Sequence, residues 1–498
     1  MPQTQTNTPI IVGVAQNEQR ITDWQQHKEP LELMFDALQV AASDTGNPKI
    51  LEAASAIRVI RGRWPYTNPA GVLREQLNLP GAETAISQFG GNYVQSVVNQ
   101  TALDIQAGTH DVVLITGAEC GNTQAKAKRA GEKLRWEALG GAPDKVYGEE
   151  IPMAHPEELK CQIGAPIQLY AMFENALGHA LHGAGKDARD AHMQNVATLW
   201  ASFSEVAANN PNAWVRQAKS ASDLLKASGA NRPVSLPYPK FLNSNSSVDQ
   251  GAALIMCSTD KARQLGISED RWVYLWAGTD AHDTYYVSNR DNLHSSPAIR
   301  HAGNRCLELA GVTSDQLAHV DLYSCFPVAV QVAAQELGLS HRTPLTVTGG
   351  LTFAGGPLNN YVMHSVATSV DLARREPGSK NLVTANGGFL TKHAFGVYSS
   401  EAPAQAFRHE DLQPKVDAEP TRDVVEDFKG SATVETYTVM YDGEGPKTGH
   451  IAGLTADGAR VWGSVHDKDQ VKELEASGLE GAVIGNPVTI AKQVAVLG

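Results

Sequence analysis

Two glycine pairs lie more than half the chain apart, and each opens the same run of text. Gly90-Gly91 leads into YVQSVVNQTALDIQ and then VVLITGAE, while Gly355-Gly356 leads into YVMHSVATSVDLAR and then NLVTANGG. Each unit reads as a glycine turn, a helix and a strand. The shared Y-V-x(1–2)-S-V register points to duplication, with the four residues 357–360 in the second turn where the first has Asn92 alone. A repeated unit of this kind restricts the chain to two α/β halves, each stacking its helix against a buried strand.

The text around the first unit fits that layout. IIVGVAQ reads as a strand, PLELMFDALQVAASDTG as a helix ending near Gly46, and SAIRVIRG as a strand again. A helix from about Pro69 to Leu77 and another from about Asn92 to Ala107 flank the glycine turn, and DVVLITGAE follows as a buried strand. From about Cys120 to Pro239 polar helical text takes over, which predicts a mainly helical insertion. Strand text returns in GAALIMCST, WVYLWAGTD, HVDLYSCFP and KNLVTANGG, between the helices AIRHAGNRCLELAG and VAVQVAAQELG. After about Pro403 a polar, proline-spaced stretch suits a linker. Short alternating strands with Asp-Gly turns follow and predict a five-stranded barrel, about the oligonucleotide/oligosaccharide-binding type. The expected organisation is a first half over 1–258 with the insertion at 120–240, a second half over 259–403, a linker over 404–430 and a barrel over 431–498.

Composition excludes several classes of function. A net charge of −13 over 498 residues argues against attraction to nucleic acid, and the basic run KAKRAGEKLR at 126–135 reads as a solvated face. Five scattered cysteines without a C-x-x-C pair indicate neither a disulfide framework nor a zinc site, and so a reducing compartment. No apolar run reaches the roughly 18–20 residues of a membrane span, and the N-terminal text lacks a signal pattern. The expected protein is soluble, cytoplasmic and without a metal, a nucleic-acid partner or a membrane partner.

Four ordered motifs resemble the thiolase superfamily, in particular its sterol-carrier-protein branch and the thiolase-like proteins with an added C-terminal β domain. NSNSSVDQGAALIMCS is similar to the S-D-G-A-A-A-V strand of thiolases, and IGAPIQLYAMFENAL to the start of their loop domain. GGLTFAGGPLNNY is similar to their G-G-x-x-x-x-G-H-P turn, and VTANGGF to their C-x-G turn. The likeness covers about residues 8–402 plus the tail. It implies the thiolase fold of two pseudo-repeated α/β halves in five layers, with a helical loop domain and a small C-terminal barrel.

The resemblance also shows what is missing. The acyl-accepting cysteine of C-G-S-G falls on Gly90, the acid/base cysteine of C-x-G on Ala385, and the activating histidine of G-H-P on Gly356. No thiol stands where an acyl group would be held, so an acyl-cysteine route is closed. What the resemblance leaves is a cradle at Gly90, Gly91, Asn92, Gly356, Asn386, Gly387 and Gly388, where backbone N–H groups near helix N-termini could hold an oxyanion or enolate. Candidate proton donors around it are Tyr323, Tyr361, His364, Lys392 and His393. Tyr323 takes the first place of the N-E-A-F motif, and His393 is the imidazole closest in sequence to the oxyanion turn. Cys325, third in that motif, reads as a small buried hydrophobe. Expected is an enzyme that makes or breaks a carbon–carbon bond beside a CoA thioester, by acyl transfer or, more in keeping with the residues, by an aldol route, with Tyr323 and His393 catalytic. The thioester is substrate, no cofactor is needed, and the protein is a monomer or homodimer. The alternatives are a non-catalytic acyl-CoA or lipid-binding protein of the same fold, and a scaffold whose barrel recruits a partner.

Overall fold

A computed structural model describes residues 7–342 and 344–497. Strand β1 (Pro9–Glu18) is followed by helix α1 (Pro30–Asp44), β2 (Ala56–Val59), helix α2 (Pro69–Gln76), β3 (Glu83–Ser87), helix α3 (Tyr93–Gln106) and β4 (Val112–Cys120). Helix α1 starts where Pro30 supplies a preset φ at its first position and the Glu32 carboxylate accepts from the Glu29 N–H at 2.7 Å. Strand β4 is buried along its whole length, as expected of a central strand covered on both faces.

The strands join into one mixed sheet of two halves. One half runs β1, Asp249–Ser258, β4, β2, β3 and Lys145–Tyr147; the other runs from β1 through Val273–His282, Lys392–Ser399 and Asn381–Gly387 to His319–Asp321. Helix α3 and its repeat partner Tyr361–Arg375 pack against each other and against strands of both halves. Polar groups lock this middle layer. Asp280 accepts from Ser96, Asn99 and His409, and the Tyr398 hydroxyl donates to Gln95 at 2.7 Å. A Cβ at Gly278 would lie 2.3 Å from Asn99 and one at Gly396 2.3 Å from Gln95, so those amides need glycine opposite them.

Several expectations need correction. ETAIS and KHAFGVYS form strands β3 and Lys392–Ser399, neither of which the sequence reading had marked, and HVDLYSCFP is extended only over His319–Asp321. The stretch expected to be a linker carries the strand Arg408–Asp411, which pairs in parallel with Val273–His282, and buries Phe407, Leu412 and Val416. It is a strap across the second half rather than a free connection, because three spaced apolar residues suffice to anchor it.

At the C-terminal end Lys429–Asp442, Gly445–Leu454, Arg460–Val465, Val494–Leu497 and Pro487–Ala491 close into a five-stranded barrel. Its core is built by Val434, Tyr437, Val439, Ile451, Val461, Val488 and Ile490. Short strands of the loop domain extend the barrel sheet, with Ser235 opposite Met440. Among the described residues no helix is long and apolar enough to cross a membrane.

Candidate active site

The Gly90-Gly91 turn of the first half meets the Asn386-Gly387 turn of the second. A Cβ built on Gly91 would stand 2.5 Å from both the Tyr323 hydroxyl and the Asn386 carbonyl oxygen, so glycine is what lets the tyrosine reach over the turn. Helix α3 begins just beyond, with Asn92 at its N-cap. An asparagine there ordinarily accepts from the first turn's N–H groups. Asn92 makes no such bond, and its buried Oδ1 has no partner. That oxygen instead faces the turns, 2.5 Å from a Cβ at Gly90 and 2.4 Å from one at Gly387.

The Asn386–Leu390 turn is fixed from two sides. Tyr170, on loop-domain helix Pro166–His182, accepts at its hydroxyl from Asn386 Nδ2 at 3.0 Å and from Leu390 N–H at 2.8 Å. Buried Arg290 donates through Nη2 to the carbonyls of Phe389 and Leu390 and to the Thr391 hydroxyl. Gly388 has φ +72, a left-handed conformation suited to glycine, and Met153 lies over it, 1.8 Å from where a Cβ would be.

Tyr323, Asn386 and His393 line one cavity of about 10 Å³ with Ala385 and Thr384. Burial, with Cys325 and Tyr361 nearby, pushes the Tyr323 phenol well above its ordinary value, so it stays protonated. His393 is buried, and its Nε2 lies 3.6 Å from Asp283 without a hydrogen bond. Asp283 is held below the usual carboxylate range: burial pushes it up, but His393, Arg290 and Ser296 outweigh that. In register, Asn386 stands opposite His393 and Gly387 opposite Lys392. Adjacent residues of a strand point to opposite faces. His393 therefore faces the small cavity, and Lys392 faces Gly90 and Gly387.

The other candidates are engaged elsewhere. Gly356 packs on the Asn245 carbonyl, to which its N–H donates at 2.9 Å. Tyr361 bonds Thr348 at 2.6 Å and Asp321 at 3.1 Å. His364 pairs with Gln16, and burial pushes it down to about 4. The Cys325 thiol is buried and pushed up to about 12 by burial. It is expected to resist iodoacetamide at pH 8 in the native protein and to react after denaturation; peptide mapping of native labelling at Cys325 would contradict this. Sequence reasoning passed over Arg290 and Tyr170, whose roles depend on contacts between segments far apart in the chain.

Comparison with known proteins agrees with this architecture. Residues 411–490 match the family described as thiolase-like protein type 1 additional C-terminal domain. The crystal structure of a monomeric SCP2-thiolase like protein type 1 from Mycobacterium smegmatis superposes with a TM-score of 0.85 and 32% identity, covering 100% of both chains. The Ltp2-ChsH2(DUF35) aldolase shares the fold at a TM-score of 0.58 and 17% identity, covering 80% of this chain and 99% of that one. An acetyl-CoA acetyltransferase of Methanocaldococcus jannaschii is 23% identical over 248 residues, 49% of this chain and 54% of its own length. The chain thus spans about half the length of that curated relative.

Fold and turns together define a protein of the thiolase superfamily whose thiol positions are vacant. More narrowly, the chain belongs to the SCP2-thiolase-like proteins of type 1, with their additional C-terminal domain.

Proposed function

We propose that the protein acts on acyl-CoA thioesters by making or breaking a carbon–carbon bond, by an aldol-type route and without an acyl-cysteine. The observation that carries this reading is the protonated Tyr323 hydroxyl set against Gly91 and the Asn386 carbonyl, where the thiolase turns converge and no thiol stands. A phenol at that point can donate to a thioester oxygen as negative charge develops on it, which stabilises an enolate. The reading treats the CoA ester as substrate and needs no resident cofactor. Relatives named acetyl-CoA acetyltransferase and a fold neighbour named aldolase are in keeping with it.

One observation favours a second reading, a non-catalytic acyl-CoA-binding protein. The cavity beside Tyr323 holds only about 10 Å³, and Met153 sits over Gly388. Exchange of α-protons decides between the two. Incubated in deuterated water with short, branched and steroid-like acyl-CoAs, the protein is expected to exchange the α-protons of at least one of them. Binding of CoA esters with no exchange across the panel would leave the binding reading in place.

A further inference from the structure

An amine occupies the space that a side chain at residue 90 would fill. The first carbon of such a side chain would lie 2.8 Å from Lys392 Nζ and 2.5 Å from Asn92 Oδ1. At Gly387 the corresponding carbon would lie 3.2 Å from Lys392 Cε. Glycine at both positions is what lets the lysine run between the two turns. Lys392 Nζ donates to the Phe89 carbonyl at 2.9 Å and stands 4.9 Å from the Tyr93 ring centroid. Among the described residues no carboxylate forms an ion pair with it. A half-buried amine with one carbonyl partner and no counter-anion thus faces the same space as a buried amide oxygen without a donor.

We propose that Lys392 is a carbonyl-capturing amine, which holds an aldehyde or ketone as a protonated imine where a thiolase holds its acyl group. The neutral amine adds to the carbonyl carbon, the carbonyl oxygen takes up protons and leaves as water, and C=N replaces C=O. In sum, one ammonium and one carbonyl compound give one protonated imine and one water, with no oxidant or reductant. Asn92 Oδ1 accepts the N–H of the iminium or the hydroxyl of the preceding carbinolamine. The iminium carbon is electron-poor and can accept a thioester enolate, the C=N pair moving to nitrogen; loss of the α-proton then expels the protonated amine with the C–N electron pair, which frees Lys392 and an α,β-unsaturated thioester. The inference rests on the reading of this site as an acyl-CoA site and names its second substrate as a small aldehyde or ketone.

The surroundings suit the step. Burial pulls Lys392 down to about 8, which leaves roughly two to three orders of magnitude more free amine at neutral pH than an ordinary lysine has. The titratable neighbours are the Tyr93 phenol, raised first by burial and so neutral at pH 8, and His282, opposite Lys392 in register. Glu149 and Tyr285 lie beyond the Tyr93 phenol.

The test uses the full chain with acetone or acetaldehyde and sodium cyanoborohydride, read by intact mass and peptide mapping. Expected is a reduced adduct on Lys392 at least about tenfold faster than on any other lysine, with a rate that rises with pH through about 8. Lys392→Arg, which keeps the charge, and Lys392→Met should both lose that fast adduct while melting near the parent temperature. Labelling spread evenly over the lysines of the native protein would overturn the proposal. So would α-proton exchange in a wild-type protein whose Lys392 stays unmodified, and that result would spare the acyl-CoA reading. A specific adduct without exchange or CoA binding would support the lysine and sink the acyl-CoA reading instead.

Discussion

Arg460→Ala is expected to cost about 3–5 kcal/mol of stability, the range for breaking a buried ion pair by removing one partner. Arg460 is 0% exposed and pairs through Nε and Nη2 with both Glu435 oxygens at 2.6 Å. Its Nη1 donates to the carbonyls of Val287, Ser288 and Arg290. Alanine would leave a carboxylate and three carbonyls without their donor at the junction of barrel and thiolase core. Trp462, which donates to Ser288 Oγ at 2.8 Å, would be the main remaining bond from that strand to the segment. The expected readings are a fall of several degrees in melting temperature and faster proteolysis in the strap over 404–430. A melting curve that overlays the parent's would show that the pair contributes nothing.

The same substitution tests whether the barrel supports the site. Arg460 holds the 287–290 segment, and Arg290 in turn holds the carbonyls of Phe389 and Leu390. Those residues form the turn between Gly387 and Lys392. The barrel thus connects to the site through two arginines and a short segment.

Much of this was legible in the sequence, and the misses have physical causes. The repeated glycine-turn helices stand where their text put them, because a long apolar period and a glycine stop are local signals. The strap was misread because its anchors Phe407, Leu412 and Val416 are too widely spaced for any period. Lys392–Ser399 was missed because the strand begins directly after the turn with Lys-His, two residues of weak strand preference. That miss carried into the site. Without a strand there was no parity to separate Lys392 from His393, and the imidazole looked closest to the oxyanion turn. Asn92 was legible as a turn residue, but that its oxygen would go uncapped was not.

Tyr323→Phe is expected to slow α-proton exchange of a bound acyl-CoA by about 10²–10⁴-fold, the usual contribution of a positioned general acid or base. The ring would stay, with its edge-on contact to Tyr361 at 5.6 Å between centroids, so the fold and CoA affinity should hold. Only the hydroxyl over Gly91 is lost. Because burial keeps that phenol protonated well beyond neutral pH, its contribution should not change between about pH 6 and 9. His393→Ala should also slow exchange, since the imidazole shares the cavity with Tyr323 and Asn386 and its Nε2 has no hydrogen-bond partner. If the two substitutions act on one proton path, the double variant should be little slower than the worse single one, as groups that work as a unit are not additive. Full exchange rates in both single variants would remove Tyr323 and His393 from the chemistry and leave Lys392 as the group at these turns with an unused reactive atom.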